Sequence, residues 1–222
     1  MTLSLVVRDG SAFGMVICSS SPAVASRCTH LRAGVGAVAS QNVTNPHLGV
    51  VALDALADGA NAQAALAAAV AADRHPEYRQ LIVVDTTGDT TVHTGAKALG
   101  IHHAVSTKNV AAAGNMLRDE RVIETLLFGY TSSTAPTLEQ RLLDGLTAAI
   151  NAGGEAGRVY SAGLQLTEDV PWPVTDLRVD WHDDPVGELQ RLWAIWEPQK
   201  RDYRTRGLDP TAAPSYGVPG DL

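Results

Sequence analysis

Thr2 directly follows the initiator Met1, so removing that Met would place a hydroxyl and a free α-amine on one residue. An α-amine titrates near ~7.7–8.0 and can act as a base at neutral pH. An N-terminal amine that takes the proton of its own Thr hydroxyl is a recognised route to a nucleophile. Thr is small enough for Met removal to be the general expectation, although Thr2 also reads as the plain second residue of a cytoplasmic chain. Gln41, Asn42 and Asn45 close a run of small residues, and their amides could orient a substrate carbonyl or donate to an oxyanion. Asn45-Pro46 has equally the makings of a simple turn. Gly114-Asn115 offers close backbone approach and an amide donor, and Asn115 could instead cap a nearby helix. Asp180, His182 and Asp184 alternate along one face of a predicted strand, but the cluster lacks distant partners, and Asp184 is accounted for as a helix cap. His102 and His103 would point to opposite faces of a strand. No Gly-rich phosphate loop, G-x-S-x-G elbow or H-E-x-x-H pair is present, so neither a metal nor a cofactor is expected.

The elements that must position these residues come in blocks. Strands are predicted from Leu3 to Arg8, Phe13 to Cys18 and Gly34 to Gln41, separated by turn chemistry at Asp9-Gly10-Ser11. Two Ala-rich helices follow, from Leu48 to Ala57 and Ala62 to Ala72, with Asn61 as N-cap of the second. A hairpin joins Gln80–Asp85 to Thr90–Thr94, and weaker strands cover His102 to Ser106 and Val110 to Ala113. Helices return at Asp119 to Phe128 and Leu138 to Asn151, then strands at Arg158 to Thr167 and Asp176 to Trp181. Asp184-Pro185 starts a last helix running to Trp196. Alternating blocks of strands and helices indicate layered α+β: two stacked antiparallel sheets, each covered by a helix pair, a four-layer αββα sandwich. Residues 1–197 read as one domain, and 198–222 as an extended Pro- and Gly-rich tail that needs a docking surface.

Four segments sharpen this: TLSLVVRD at the start, AGVGAVASQNVTNPHLG at 33–49, GNML at 114–117 and DLRVDWHDDPVGELQRL at 176–192. In this order and spacing the chain resembles the domain-of-unknown-function 1028 family within the N-terminal-nucleophile hydrolase superfamily. The resemblance implies the αββα fold and a nucleophile at Thr2, and leaves the substrate open. By that fold, Ser19 and Ser20 on the second strand should lie beside Thr2. Relatives carry a basic residue near Ser20, whereas this chain has Ser19-Ser20-Ser21, so the charge that would acidify the nucleophile must come from elsewhere. Arg27, His30 and Arg32 are candidates for that charge, or simply solvated surface residues.

A chain of 222 residues with 45% hydrophobic residues and a mean hydropathy of −0.01 suits a globular protein. A net charge of −7 disfavours nucleic acid and anionic membranes as partners. There is no bilayer-length apolar run and no basic, apolar leader, so the cytoplasm is the expected compartment. Cys18 and Cys28 form neither a disulfide framework nor a metal spacing. The expectation that emerges is an amidohydrolase acting on a small amide or cyclic amide. Thr2 and Asn115 with Ser20 would do the chemistry, and Ser19, Gln41 and Asn45 would hold the substrate. The alternative is a ligand-binding or scaffold protein that keeps the fold without the chemistry. The aromatic last helix and the tail suggest a homodimer.

Overall fold

The computed structural model describes residues 2–218. Alternation in the first strand, β1 (Thr2–Asp9), sets the layering. Leu3, Leu5 and Val7 face outward and join Ile123, Leu126, Leu142 and Leu146 in one core. Val6, on the opposite face, joins Phe13, Met15, Ile82 and Val84 in a second core between two sheets. With a side-chain period of two, one strand thus builds two layers at once.

The larger sheet has six strands. β2 (Ala12–Ser19) and β8 (Val110–Asn115) flank β1, with β9 (Ser161–Thr167) and β10 (Pro173–Val179) beyond β2 and β7 (His103–Thr107) beyond β8. The smaller sheet is ordered β3 (Thr29–Arg32), β4 (Gly36–Asn42), β5 (Arg79–Asp85), β6 (Thr90–Thr94), and all neighbours in both sheets pair antiparallel. Helices α2 (His47–Ala57) and α3 (Ala62–Ala71) cover the outer face of the four-stranded sheet through Leu48, Leu53, Leu56 and Leu66. Helices α4 (Arg121–Ser132), α5 (Leu138–Asn151) and α6 (Pro185–Leu208) cover the six-stranded one. This is the expected αββα sandwich. Alanines 37, 39, 111 and 113 line the layer between the sheets, where small side chains let the sheets approach closely.

Three expectations about elements are corrected. A short helix, α1 (Val24–Cys28), and strand β3 precede β4, which begins at Gly36 rather than Gly34. Strand β10 starts at Pro173 and ends at Val179, so Asp180, His182 and Asp184 lie in a loop and share no strand face. Asp184 does cap α6, accepting from the Gly187 amide at 3.0 Å. The break expected near Pro198 does not occur: α6 runs through it to Leu208, and the boundary expected at 197/198 falls inside a helix.

A helix-interior Pro costs about 3 kcal/mol, so contacts past it must offset that loss. Lys200 Nζ lies 2.7 Å from both Glu139 and Glu168, with the Glu139 side chain 3% exposed, and Arg204 pairs with Asp169. Instead of extending away, the segment after α6 folds back on its own helix. Tyr216 packs edge-on against Tyr203, and the Arg206 guanidinium donates to the Pro214 carbonyl and lies over the Tyr216 ring. The tail's last residues, 219–222, lie outside the described residues. Lys200→Met should destabilise the protein by about 1.5–3 kcal/mol, because it leaves the buried Glu139 carboxylate with only the Thr175 hydroxyl, at 2.9 Å, as donor; urea unfolding checks this. Among the described residues no helix is long and apolar enough to cross a membrane.

Candidate functional site

The layer between the sheets changes character along its length. At one end it is Val6, Phe13, Met15, Ile82 and Val84. At the other, the same strand faces carry Thr2 and Ser4 from β1, Ser19 from β2, Gln41 from β4, Gln80 from β5 and Asn115 from β8, all buried. Buried polar groups persist only when they are hydrogen-bonded, and here they bond one another. Ser4 Oγ donates to Gln41 Oε1 at 2.7 Å, and Gln41 Nε2 donates to Gln80 Oε1 at 2.8 Å and to the Ala113 carbonyl at 3.2 Å. Gln80 Nε2 donates to the Gly114 carbonyl at 3.1 Å and Thr94 Oγ1 at 3.2 Å. Asn115 Nδ2 donates to Gln80 Oε1 at 3.2 Å, and Asn115 Oδ1 is buried with no partner among the described residues.

Thr2 sits directly opposite Asn115 in the β1–β8 register. Its hydroxyl lies 3.3 Å from Ser19 Oγ, and Ser19 Oγ lies 2.9 Å from Ser21 Oγ. Arg27 Nη2 donates to Ser21 Oγ at 2.9 Å and to the Pro22 carbonyl at 2.8 Å. A guanidinium has no acceptor, so Ser21 accepts there and its own proton is free to turn toward Ser19. Of the three candidate cations, Arg27 is therefore linked to Thr2 through two serine hydroxyls. Arg32 pairs with Asp54 at the surface. His30 is packed against Gly49, and burial lowers its pKa.

The remaining expected site residues divide. Ser19 and Gln41 belong to the cluster. Ser20 lies just past β2, with its amide donating to Glu155 Oε2 at 3.3 Å. The structure leaves Asn45 outside the cluster, in the turn before α2, with Oδ1 accepting from the His47 amide at 3.2 Å. Asn115 is a strand residue and caps no helix.

Two residues of the site escape sequence reasoning. Gln80 is the hub of the amide network, and the signal for it was a polar residue opening the otherwise apolar strand Gln80-Leu81-Ile82-Val83-Val84 on its inward face. The other is Glu155. Helix α5 ends on Gly153 and Gly154, at φ +114° and +55°, with the Gly154 amide donating back to the Ala149 carbonyl at 3.0 Å. That turn, which only glycine makes without strain, delivers Glu155 into a bridge with Leu117, two residues beyond Asn115. Glu155 is 4% exposed, and its Oε1 has no partner among the described residues. Burial raises its pKa to about 7, against the opposing pull of the amino-terminal charge and the Ser20 hydrogen bonds. It also lines a surface cleft of about 220 Å³ with Arg158, Asp184 and Val186.

A carboxyl whose native pKa lies above its ordinary 4.5 binds its proton in the folded state while the unfolded chain has released it. Its contribution to stability is complete below that ordinary value and is lost as pH rises through about 7. At about 1.4 kcal/mol per unit, the loss approaches ~3 kcal/mol. On protein that retains Met1, Glu155→Gln should be more stable than wild type at pH 8 and should converge with it near pH 5. Paired urea titrations at the two pH values check the sign.

The family model described as a family of unknown function (DUF1028) matches residues 2–189. The crystal structure of protein SPO2555 from Silicibacter pomeroyi, itself described under DUF1028, superposes with a TM-score of 0.81 at 29% identity, covering 88% of each chain. Eukaryotic HslV from Trypanosoma brucei matches with a TM-score of 0.45 at 13% identity, over 74% of this chain and 98% of its own. The Anbu (Gly-1) mutant from Hyphomicrobium sp. strain MC1 matches with a TM-score of 0.45 at 10% identity, over 98% and 100%. No curated protein matches the chain. With a match spanning nearly the whole αββα domain, this chain belongs to the DUF1028 family of unknown function.

Proposed function

We propose that this protein is an N-terminal-nucleophile amidohydrolase that uses Thr2, once Met1 is removed, to cleave the C–N bond of a small amide or cyclic amide. One observation carries the reading: Thr2 opens the central strand at the polar end of the inter-sheet layer, 3.3 Å from Ser19 Oγ and in register with Asn115. Its amine, freed of Met1, takes the hydroxyl proton as the oxygen attacks the carbonyl carbon. The C–N bond then breaks as that proton passes to the departing nitrogen, and water resolves the acyl-enzyme. Arg27, through Ser21 and Ser19, orients hydroxyl donors toward the Thr2 oxygen and so favours its deprotonated form. Gln80 and Gln41 hold Asn115 rigidly, as an oxyanion donor requires.

Intact mass spectrometry of untagged protein should show the loss of Met1. A small β-lactone, whose ring opens on a nucleophilic hydroxyl, should then add once, at Thr2. Loss of Met1 with no addition at Thr2 would sink the enzyme reading. Binding of a small ligand without turnover is the second reading; the near-complete burial of Thr2, 3% exposed, favours it. A homodimer and a cytoplasmic location complete the proposal. Light scattering of the purified protein reads the first, and the two unbridged, buried cysteines, Cys18 and Cys28, suit the second.

A further inference from the structure

The six-stranded sheet has a defined position just ahead of Thr2, and Glu155 fills it. Past Asn115 the chain continues from β8 as Met116 and Leu117. On the β7 side, their amides donate to the carbonyls of Leu99 and Ile101, at 2.8 and 2.9 Å. On the other side, which is the β1 side, Leu117 bridges Glu155, and the Ala156 amide donates to the Met116 carbonyl at 2.9 Å. The Glu155 segment therefore lies in line with β1, beyond its first residue. From there its side chain crosses to the continuation of β2, where Oε2 accepts from the Ser20 amide at 3.3 Å. Backbone on one flank and side chain on the other, Glu155 spans the gap into which the start of β1 points. Its second oxygen, Oε1, is buried and has no partner among the described residues. A buried carboxylate oxygen without a donor is costly, and a donor brought to that place would relieve it.

We propose that Glu155 receives the α-amine that removal of Met1 frees on Thr2, and so positions the base of the reaction. This rests on the reading of Thr2 as the processed N-terminus. The proton balance is simple: the carboxylate holds the amine in place as its ammonium, and once that proton leaves to solvent the positioned amine accepts the Thr2 hydroxyl proton. The other titratable or charged groups around Glu155 are Cys18 on β2, Arg118, whose side chain lies over Gly153, and Arg158, Asp183 and Asp184 around the cleft. Glu155 acts through the amine and is a positioning residue.

The test uses full-length protein released from a cleavable leader so that Thr2 is the first residue, whatever happens to Met1 in the cell. Competitive acetylation with acetic anhydride across pH 5–10, read by mass spectrometry of the N-terminal peptide, gives the apparent pKa of the amine. An opposite charge within hydrogen-bonding reach moves a pKa by about 1–3 units. The wild-type amine should therefore titrate above the ordinary range, and Glu155→Gln should lower it by at least about one unit. Glu155→Asp, which keeps the charge on a shorter stem, should give a smaller fall. An ordinary amine pKa in the wild type, or no fall in a folded Glu155→Gln protein, overturns the proposal. A displaced amine pKa with no β-lactone addition at Thr2 would instead sink the hydrolase reading and leave the Glu155–amine pair standing.

Discussion

Thr2→Ala, in protein whose first residue is position 2, is expected to lose all β-lactone acylation and all turnover of an amide substrate while unfolding like the wild type. The substitution removes a hydroxyl and a methyl at a strand end. Ser19 Oγ keeps Ser21 as a partner at 2.9 Å, and Leu3, Leu5 and Val7 still pin β1 into the outer core. The outer core that holds β1 is untouched, so a loss of function in a protein that unfolds like the wild type reports chemistry. Thr2→Ser retains both hydroxyl and amine and should keep measurable activity, which separates loss of the nucleophile from disturbance of the strand. Intact mass after incubation with the reagent gives the stoichiometry directly. Full acylation or turnover in Thr2→Ala would exclude Thr2 as the nucleophile.

Asn115→Ala carries the next largest expected effect, a loss of about 10²–10³ in acylation rate. An amide nitrogen has two hydrogens, and Gln80 Oε1 takes one of those on Asn115 Nδ2 at 3.2 Å. The second remains available for an oxyanion forming over Thr2, which lies directly opposite in the β1–β8 register. The amide cannot swing away, because Gln80 is itself fixed by Thr94 Oγ1 and the Gly114 carbonyl. Its value lies in being in place before charge develops. Stopped-flow acylation of Asn115→Ala and Asn115→Asp reads the effect. A rate within about threefold of wild type in both, against the loss expected for a missing oxyanion donor, would assign Asn115 to packing alone.

The parts of this fold that could be read from the sequence are those whose information is local. β1 alternates apolar residues, Asn61 caps α3 by accepting from the Ala64 amide at 2.9 Å, and Asp184-Pro185 opens α6. The parts that could not are set by distant partners. β3 is a four-residue strand of half-buried side chains, with no pattern strong enough to stand out before β4 is known to lie beside it. Helix α6 outlasts Pro198 because Lys200 and Arg204 find carboxylates at 139, 168 and 169. The site divides the same way. Thr2, Ser19, Gln41 and Asn115 stand at the ends of recognisable strands, so strand order alone brings them together. Glu155 comes from a loop after a helix and reaches the site only because two glycines turn the chain back. Asn45, close to Gln41 in sequence, is carried away from it by a turn.

The strict in–out alternation of β1 also bears on which insertions and deletions this chain can tolerate. Sliding β1 by one residue would drive Ser4 and Val6 through the sheet, putting a hydroxyl into the outer core and Leu3 and Leu5 among the amides. A net gain or loss of a single residue is thus tolerable only at the hairpin tip, Asp9-Gly10-Ser11, because the strands on either side are locked in phase. The identity of the reacting residue is in this sense an address written in the strand: the pairing that places the threonine opposite the asparagine is fixed by the phase of every residue after it.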